Sequence, residues 1–256
     1  MRSLLGLMFG LWSSLLVADD APHWQQPVFI QHAFIAVALR SEYRPGAAPL
    51  RRWRQDMRVW LDHRVPDQAL HQSLVDEHLQ HLAQITGHPV RRVARAVDAN
   101  VQLVFTRQEN WAAEARALFG PRINKVLHGA VCLAGVDTNA GEILRARIII
   151  PVDQARMHGR LVACIVEELT QIMGLPNDSE LAYPSIFNDH SPEQLLSPLD
   201  VLLLQLLYQP ELQPGMSEPE VALVVEKLLN RWHENGTIAA AVGLARSGEL
   251  YQRLAP

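Results

Sequence analysis

The stretch that decides the fold covers residues 164–178 and reads CIVEELTQIMGLPND. Apolar side chains recur at helical spacing through this stretch and the residues just before it, namely Leu161, Ile165, Leu169 and Ile172. That period predicts a helix from His158 to Met173 with one face toward the core. Gly174 predicts where this helix ends, because glycine accepts a left-handed backbone and the proline two residues later cannot continue a helix.

Polar residues occupy a second face of the predicted helix. Glu167 and Gln171 stand at i and i+4, which places their side chains together. The sharp turn after the helix is expected to bring Asn177 and Asp178 back toward these two side chains. Glu168 points about 100° away from Glu167 around the helix, so the two adjacent acids do not form a facing pair.

This spacing resembles the active-site helix of the metzincin zinc proteases, which reads H-E-x-x-H-x-x-G-x-x-H. In those enzymes the histidines bind zinc and the glutamate activates a metal-bound water. The three histidine positions are occupied here by Glu167, Gln171 and Asn177. Glu168 stands at the position of the glutamate, and Gly174 at that of the glycine. The resemblance implies a metalloprotease-like scaffold in which every zinc-binding histidine is replaced.

Two further segments match the metzincin pattern in the same order. Residues 196–208, LSPLDVLLLQLLY, resemble the C-terminal helix of that family. Ser185 to Asn188 stands where the family has its methionine turn, with Phe187 in place of the methionine. The resemblance covers about residues 50–210. It implies an α+β fold of the metzincin or zincin type, with a twisted mixed sheet packed on the active-site-type helix and a helical C-terminal part.

A closer resemblance is to an uncharacterised proteobacterial family, a domain of unknown function found in predicted periplasmic proteins and lipoproteins. Its pattern is C-x-x-E-E-x-x-Q-x-x-G-L-x-N-D, followed by S-x-F-N-D, a leucine-rich helix that ends in L-Y, and P-G-M. The chain meets this pattern from Cys164 to Asp178, from Ser185 to Asp189, at Tyr208 and from Pro214 to Met216. The resemblance implies that the polar replacements are a feature of the family, and it names no activity.

The replaced positions offer a poor zinc site, because zinc prefers imidazole and thiolate whereas these positions supply one carboxylate and two amide oxygens. We therefore expect no cofactor. An oxygen-only ligand set would suit a hard cation such as calcium, with Asp178 or Asp189 added, and this alternative stays open. His158 and His190 flank the motif and are the nearest candidates for a nitrogen ligand, although a lone histidine is more often a surface residue.

Glu168 is the candidate catalytic residue, since the matching glutamate of the proteases acts as a general base. Without a metal the water keeps a high pKa, and the base alone is weak. Two arrangements would still give hydrolysis: a two-carboxylate site of Glu168 with Asp178 or Asp189, and a pairing of Glu168 with Gln171.

A purely structural role is the competing interpretation. In it, a buried hydrogen-bond network replaces zinc as the link between the helix and the following turn, and its members are Glu167, Gln171, Asn177 and Asp178. The sequence leaves open whether these side chains face a cleft or lie sealed beneath Phe187.

The first twenty residues, MRSLLGLMFGLWSSLLVADD, hold one arginine, an apolar run and a small residue before two acids. This is typical of a secretory signal peptide, here residues 1–18, and a buried N-terminal helix is the alternative. We then expect an N-terminal extension over 19–49, the metzincin-like domain over 50–216 and a helical appendage over 217–256. The mature chain is expected in the periplasm or outside the cell, without a membrane anchor.

Composition limits the possible partners. The chain has 256 residues, of which 48% are hydrophobic, and a formal net charge of −4. It therefore has no basic field that would attract nucleic acid, and a periplasmic protein, a peptide or peptidoglycan remain as partners. The two cysteines, Cys132 and Cys164, are expected to form a disulfide in an oxidising compartment, with two buried thiols as the alternative.

The remaining elements are predicted from hydrophobic period and composition. They are an extended segment at 27–39, a strand at 57–61, a helix at 66–86, a strand at 100–105, a short helix at 112–118, a strand at 144–151, and helices at 198–208, 218–232 and 238–254.

Two functions follow from these residues. The first is an exported, zinc-less pseudoprotease that serves as a periplasmic binding or assembly module and holds an extended peptide in the former substrate cleft. The second is a hydrolase of peptides or peptidoglycan with Glu168 as its general base.

Overall fold

A mixed sheet lies at the centre of the computed structural model, which describes residues 22–40, 46–127 and 129–255. Its strands are β1 (Met57–His63), β2 (Val90–Arg92), β3 (Val101–Thr106), β4 (Leu133–Asn139) and β5 (Glu142–Pro151). Their order in the sheet is β2-β1-β3-β5-β4. β2, β1, β3 and β5 are parallel, and β4 pairs antiparallel with β5.

The burial of each strand follows from what covers its faces. Along β1, Met57 and Val59 are buried, whereas Arg58 and Trp60 are partly exposed, so only one face meets the core. The end of β5, Ile148 to Ile150, is fully buried because both faces are covered there. One face carries the main core, and the other carries a smaller cluster formed by Val104, Trp111, Leu133 and Ile149.

The helices are α1 (Pro27–Ala38), α2 (Gln68–Thr86), α3 (Gln108–Phe119), α4 (Val152–Met157), α5 (Leu161–Gln171), α6 (Pro198–Leu207), α7 (Glu218–Glu234), α8 (Thr237–Arg246) and α9 (Glu249–Leu254). α2 and α5 pack against each other on the main-core side of the sheet, and α3 contacts β5 on the other side. The predicted mixed sheet packed on the motif helix is therefore confirmed, as is the helical C-terminal part.

The motif helix is shorter than the sequence predicts. The expected helix from His158 to Met173 is α5, which begins only at Leu161 and ends at Gln171. Gly159 adopts a left-handed φ of 65°, which separates α4 from α5. The period of the apolar residues is correct, and its boundaries are wrong by two or three residues at each end.

Two other expectations are wrong, and two strands were missed. Residues 27–39 are not extended but form α1, whose Pro27 stands at a first-turn position that suits proline. The predicted helix at 238–254 is interrupted between α8 and α9, around Ser247 and Gly248. The strands β2 and β4 were not predicted.

The two flanks of the chain meet each other. α1 packs against α6 and α7, and the Arg40 guanidinium makes a bidentate contact with the Glu218 carboxylate at 2.7 and 2.9 Å. The expected boundaries at 49/50 and 216/217 remain predictions, and the signal peptide at 1–18 lies outside the described residues. Within 22–40, 46–127 and 129–255, no helix is both long and apolar enough to cross a bilayer.

Candidate functional site

A groove with a volume near 800 Å³ runs between β4 and α5, and we call it the β4–α5 groove. One side is formed by residues 132–136, and the opposite side by residues of α5 and the turn that follows it. Five acidic and amide candidates named from the sequence line it, namely Glu167, Glu168, Gln171, Asp178 and Asp189. They are therefore not sealed beneath Phe187.

The outer edge of β4 presents main-chain groups to this groove. The amide of Ala146 in β5 donates to the Asn100 carbonyl at 3.0 Å, so this residue turns its main-chain groups away from β4. Its partner in β4 is Val136, which in such an antiparallel pair directs its own N–H and C=O outward. Ala134 repeats this orientation two residues earlier, whereas Gly135 between them turns toward β5.

Hydrogen-bond partners for these outward groups are absent from the described part of the chain. The N–H and C=O groups of Ala134 and Val136 make no main-chain hydrogen bond to any described element, and no described side chain bonds to them. Both residues line the β4–α5 groove. The groove thus contains an unpaired strand edge that is long enough for a short ladder.

Glu168 lies deep in the groove wall, with 4% of its surface exposed. Its neighbour Glu167 is nearer to solvent and contacts the Arg160 guanidinium at 3.4 Å. His158 also lines the groove. His190 does not line it; this residue is exposed and lies 3.3 Å from Glu180.

Gln171 is held by the turn that follows α5. Its amide donates to the Asp178 carboxylate at 3.1 Å. The turn depends on Gly174, whose φ is 123° and whose hydrogen faces the Arg51 carbonyl oxygen so closely that a Cβ would collide with it. The predicted return of the chain toward the helix is therefore present, and only glycine fits its tightest point.

Asn177 takes a different direction from the other candidates. Its side-chain amide donates to the carbonyl of Ala36 at 2.9 Å and to that of Asp178 at 2.8 Å. Its main-chain N–H donates to the Val37 carbonyl at 3.2 Å. Asn177 thus binds the end of α1 and does not line the β4–α5 groove.

The turn that carries Phe187 is anchored from below by Asp200, a residue that the sequence analysis did not single out. The fully buried Asp200 carboxylate accepts hydrogen bonds from the Ser185 hydroxyl at 2.5 Å, the Ile186 amide at 3.2 Å and the Ser197 amide at 2.7 Å. Burial outweighs these bonds and raises the pKa of Asp200 to about 6. The Ser197-x-x-Asp200 capping box was a local signal that could have identified it.

Phe187 itself is buried, and its carbonyl accepts a bond of 2.7 Å from the amide of Ser179. Ser179 follows Asp178 directly, so the Phe187 turn supports the segment that borders the groove. Phe187 therefore supports the segment beside the groove and does not line the groove itself.

A disulfide joins the two sides of the groove. Cys132, directly before β4, is bonded to Cys164 in α5, with their Cα atoms 5.9 Å apart. Cys164 lies one helical turn before Glu168. The pairing expected from the sequence is thus present, and it fixes the start of the edge strand against the helix.

Within the described ranges, no three His, Cys, Asp or Glu side chains converge in a way that could hold a metal ion.

The chain matches the model of a known protein family. Residues 27–227 match the model of the family described as "Protein of unknown function (DUF2927)". The chain belongs to this family. The DUF2927 match begins with α1 and ends within α7, so it includes the sheet, the groove and the Asn177 contact to α1. No curated protein matches the chain significantly.

Proposed function

We propose that this DUF2927 protein is an exported, metzincin-like pseudoprotease that binds an extended polypeptide along β4. The observation that carries the proposal is the unpaired edge of β4 inside the β4–α5 groove. An extended peptide gains affinity by continuing a sheet through main-chain hydrogen bonds, and side-chain pockets then give specificity. Ala134 and Val136 supply outward N–H and C=O groups for such a ladder.

The donor set supports binding without zinc chemistry. Glu167 stands at the first histidine position of the metzincin pattern and contacts Arg160. Gln171 stands at the second and donates to Asp178, and Asn177 stands at the third and donates to α1. Amide groups that already donate to protein oxygens are poor zinc ligands. These residues do not fit zinc, and we expect none in stoichiometric amount by elemental analysis of the purified protein.

Export is part of the proposal. The disulfide between Cys132 and Cys164 supports an oxidising compartment, because such bonds are rare in the reducing cytosol. The partner would then be a periplasmic or extracellular polypeptide.

The test is to remove one outward N–H from the strand edge. Val136→Pro deletes a donor that faces the groove without removing a bond to β5, whereas Val136→Thr keeps the N–H and nearly the same shape. Twelve-residue peptides would be selected on the wild type from a displayed random library. Binding is expected to be lost in Val136→Pro and retained in Val136→Thr. Selected peptides that bind Val136→Pro as tightly as the wild type would contradict the proposal.

A second candidate function is favoured by the position of Glu168. Its carboxylate is almost fully buried in the wall of an open groove that Asp178 and Asp189 also line. A buried carboxylate next to a substrate cleft is a suitable general base for a water molecule. The protein would then hydrolyse peptides or peptidoglycan.

Glu168→Gln separates the two functions, because it keeps the shape and removes the base. In a screen on peptides and purified peptidoglycan, hydrolysis by the wild type that Glu168→Gln abolishes would establish the hydrolase. Unchanged peptide affinity in Glu168→Gln, with no hydrolysis by either protein, is the result that the binding proposal predicts.

A further inference from the structure

A second concave surface lies at the opposite edge of the sheet from the groove. Its volume is near 710 Å³, and it is lined by residues of β1, β2 and the segment that follows β2. Arg58 and Arg91 are both part of this lining. We infer that these two arginines form a binding site for a phosphate-bearing ligand, independent of the proposed peptide groove.

The two arginines are fixed as neighbours by the sheet register. Arg58 in β1 and Arg91 in β2 are Cα partners on adjacent parallel strands. Adjacent strands lie about 4.8 Å apart, and residues in register project from the same face. Like charges in this relationship repel each other, so the pair is unfavourable unless a counter-charge is supplied.

The protein supplies that counter-charge to the neighbouring arginines but not to this pair. Arg92 makes a bidentate contact with Asp76 at 2.7 and 2.9 Å, and Arg95 contacts Asp98 at 2.8 Å. For Arg58 and Arg91, the described ranges of the chain contain no carboxylate at ion-pair distance.

Arg58 is nevertheless held in place. Its Nε donates to the main-chain carbonyl of Asp98 at 2.7 Å, which leaves the two terminal nitrogens of the guanidinium for another acceptor. Two neighbouring guanidinium groups match the several oxygens of a phosphate, to which arginine binds in a bidentate manner. Val97 lines the same concavity with 82% of its surface exposed, so an apolar part of the ligand would find a contact there.

Thermal unfolding with inorganic phosphate tests the site. Phosphate and chloride would be compared at equal ionic strength for the wild type, Arg58→Gln, Arg91→Gln and the control Arg246→Gln. Arg246 is an exposed arginine in α8, far along the chain from the site. The control is needed because phosphate stabilises most proteins weakly by exclusion from their surface.

We expect a saturable rise in melting temperature for the wild type and Arg246→Gln, and no more than the unspecific rise for the other two variants. By calorimetric titration with phosphate, Arg91→Gln should bind about ten-fold or more weakly than the wild type, since it loses a charge-assisted contact. Without phosphate, Arg91→Gln should melt no lower than the wild type, because like-charge repulsion is relieved, whereas Arg58→Gln also loses the bond to the Asp98 carbonyl. Equal phosphate responses in all four proteins would overturn the inference.

Vesicles distinguish the source of the phosphate group. Flotation of the wild type but not Arg91→Gln with vesicles that contain phosphatidylglycerol would assign a lipid headgroup. A phosphate response without flotation would assign a soluble phosphate-bearing molecule. Flotation of Arg91→Gln equal to that of the wild type, with no phosphate response in either, would contradict the site.

Discussion

The groove-facing and inward-facing residues of the motif differ in what they bind. Glu167, Glu168 and Gln171 border the β4–α5 groove, whereas Asn177 bonds to α1. Asp200 likewise faces inward and holds the Phe187 turn through three donors. The difference teaches that one half of the motif stabilises the fold, while the other half lines the open groove. Substitutions in the two halves should therefore change the free energy of unfolding by different amounts.

The largest expected effect is at Asp200. Asp200→Ala leaves a buried hydroxyl and two buried amides without their acceptor, so the free energy of unfolding should fall by about 4 kcal/mol. Urea unfolding would measure this. The exposed Asp189 offers the matched control, since Asp189→Ala should change the free energy of unfolding by less than about 0.5 kcal/mol. Similar effects of the two substitutions would remove the distinction between the two halves.

The pH dependence of stability tests the same carboxyl group. Its pKa is raised to about 6 in the folded protein from 3.8, so the folded state binds the proton more tightly. This contribution to stability is complete below pH 4 and is lost as the pH rises through 6, by about 3 kcal/mol at most. Asp200→Asn cannot titrate there. Its stability relative to the wild type should thus improve between pH 4 and pH 7, and a constant difference over that range would contradict the raised pKa.

Asn177 should give an intermediate effect. Asn177→Asp keeps the size of the side chain but removes the donor to the Ala36 carbonyl and places a charge beside it. The free energy of unfolding should fall by about 2 kcal/mol. Amide hydrogen exchange should increase in α1 while β4 stays unchanged. Faster exchange in β4 without a change in α1 would show that Asn177 belongs to the groove after all.

The smallest effects are expected from the groove-facing polar residues. Glu167→Ala removes the partly exposed contact to Arg160, among others, and Gln171→Ala removes the bond to Asp178. Each should lower the free energy of unfolding by less than about 1 kcal/mol. A buried network replacing zinc would instead give about 1–3 kcal/mol, so thermal melts of the two variants decide between these interpretations.

Local patterns explain which parts of this fold could be predicted. The spacing of apolar residues predicts α5 and the neighbouring helices, and Gly174 predicts the turn that follows α5. β4 escaped prediction because Leu133–Asn139 reads LAGVDTN, in which glycine and polar residues break the alternation that marks a strand. α1 is apolar on most sides, so its sequence has little helical period to detect.

The sequence predicted which residues lie near each other at the site, but not which partners their side chains bond to. The sequence placed Glu167, Gln171 and Asp178 near each other, and the structure does so too. The partner of Asn177 is Ala36, which stands 141 positions away, and no local spacing could indicate that contact. The Arg58–Arg91 pair likewise depends on strand register.

Hydrogen exchange at single amides of β4 tests the central claim most directly. A selected peptide would be added to the labelled protein, and exchange would be compared at Ala134, Gly135 and Val136. A peptide that continues the sheet should slow exchange at the amides of Ala134 and Val136 by about ten-fold or more at saturation. Each amide would then donate one new hydrogen bond to the peptide. Gly135 already turns toward β5 and should change little. Unchanged exchange at Ala134 and Val136 in the presence of saturating peptide would contradict binding along this edge.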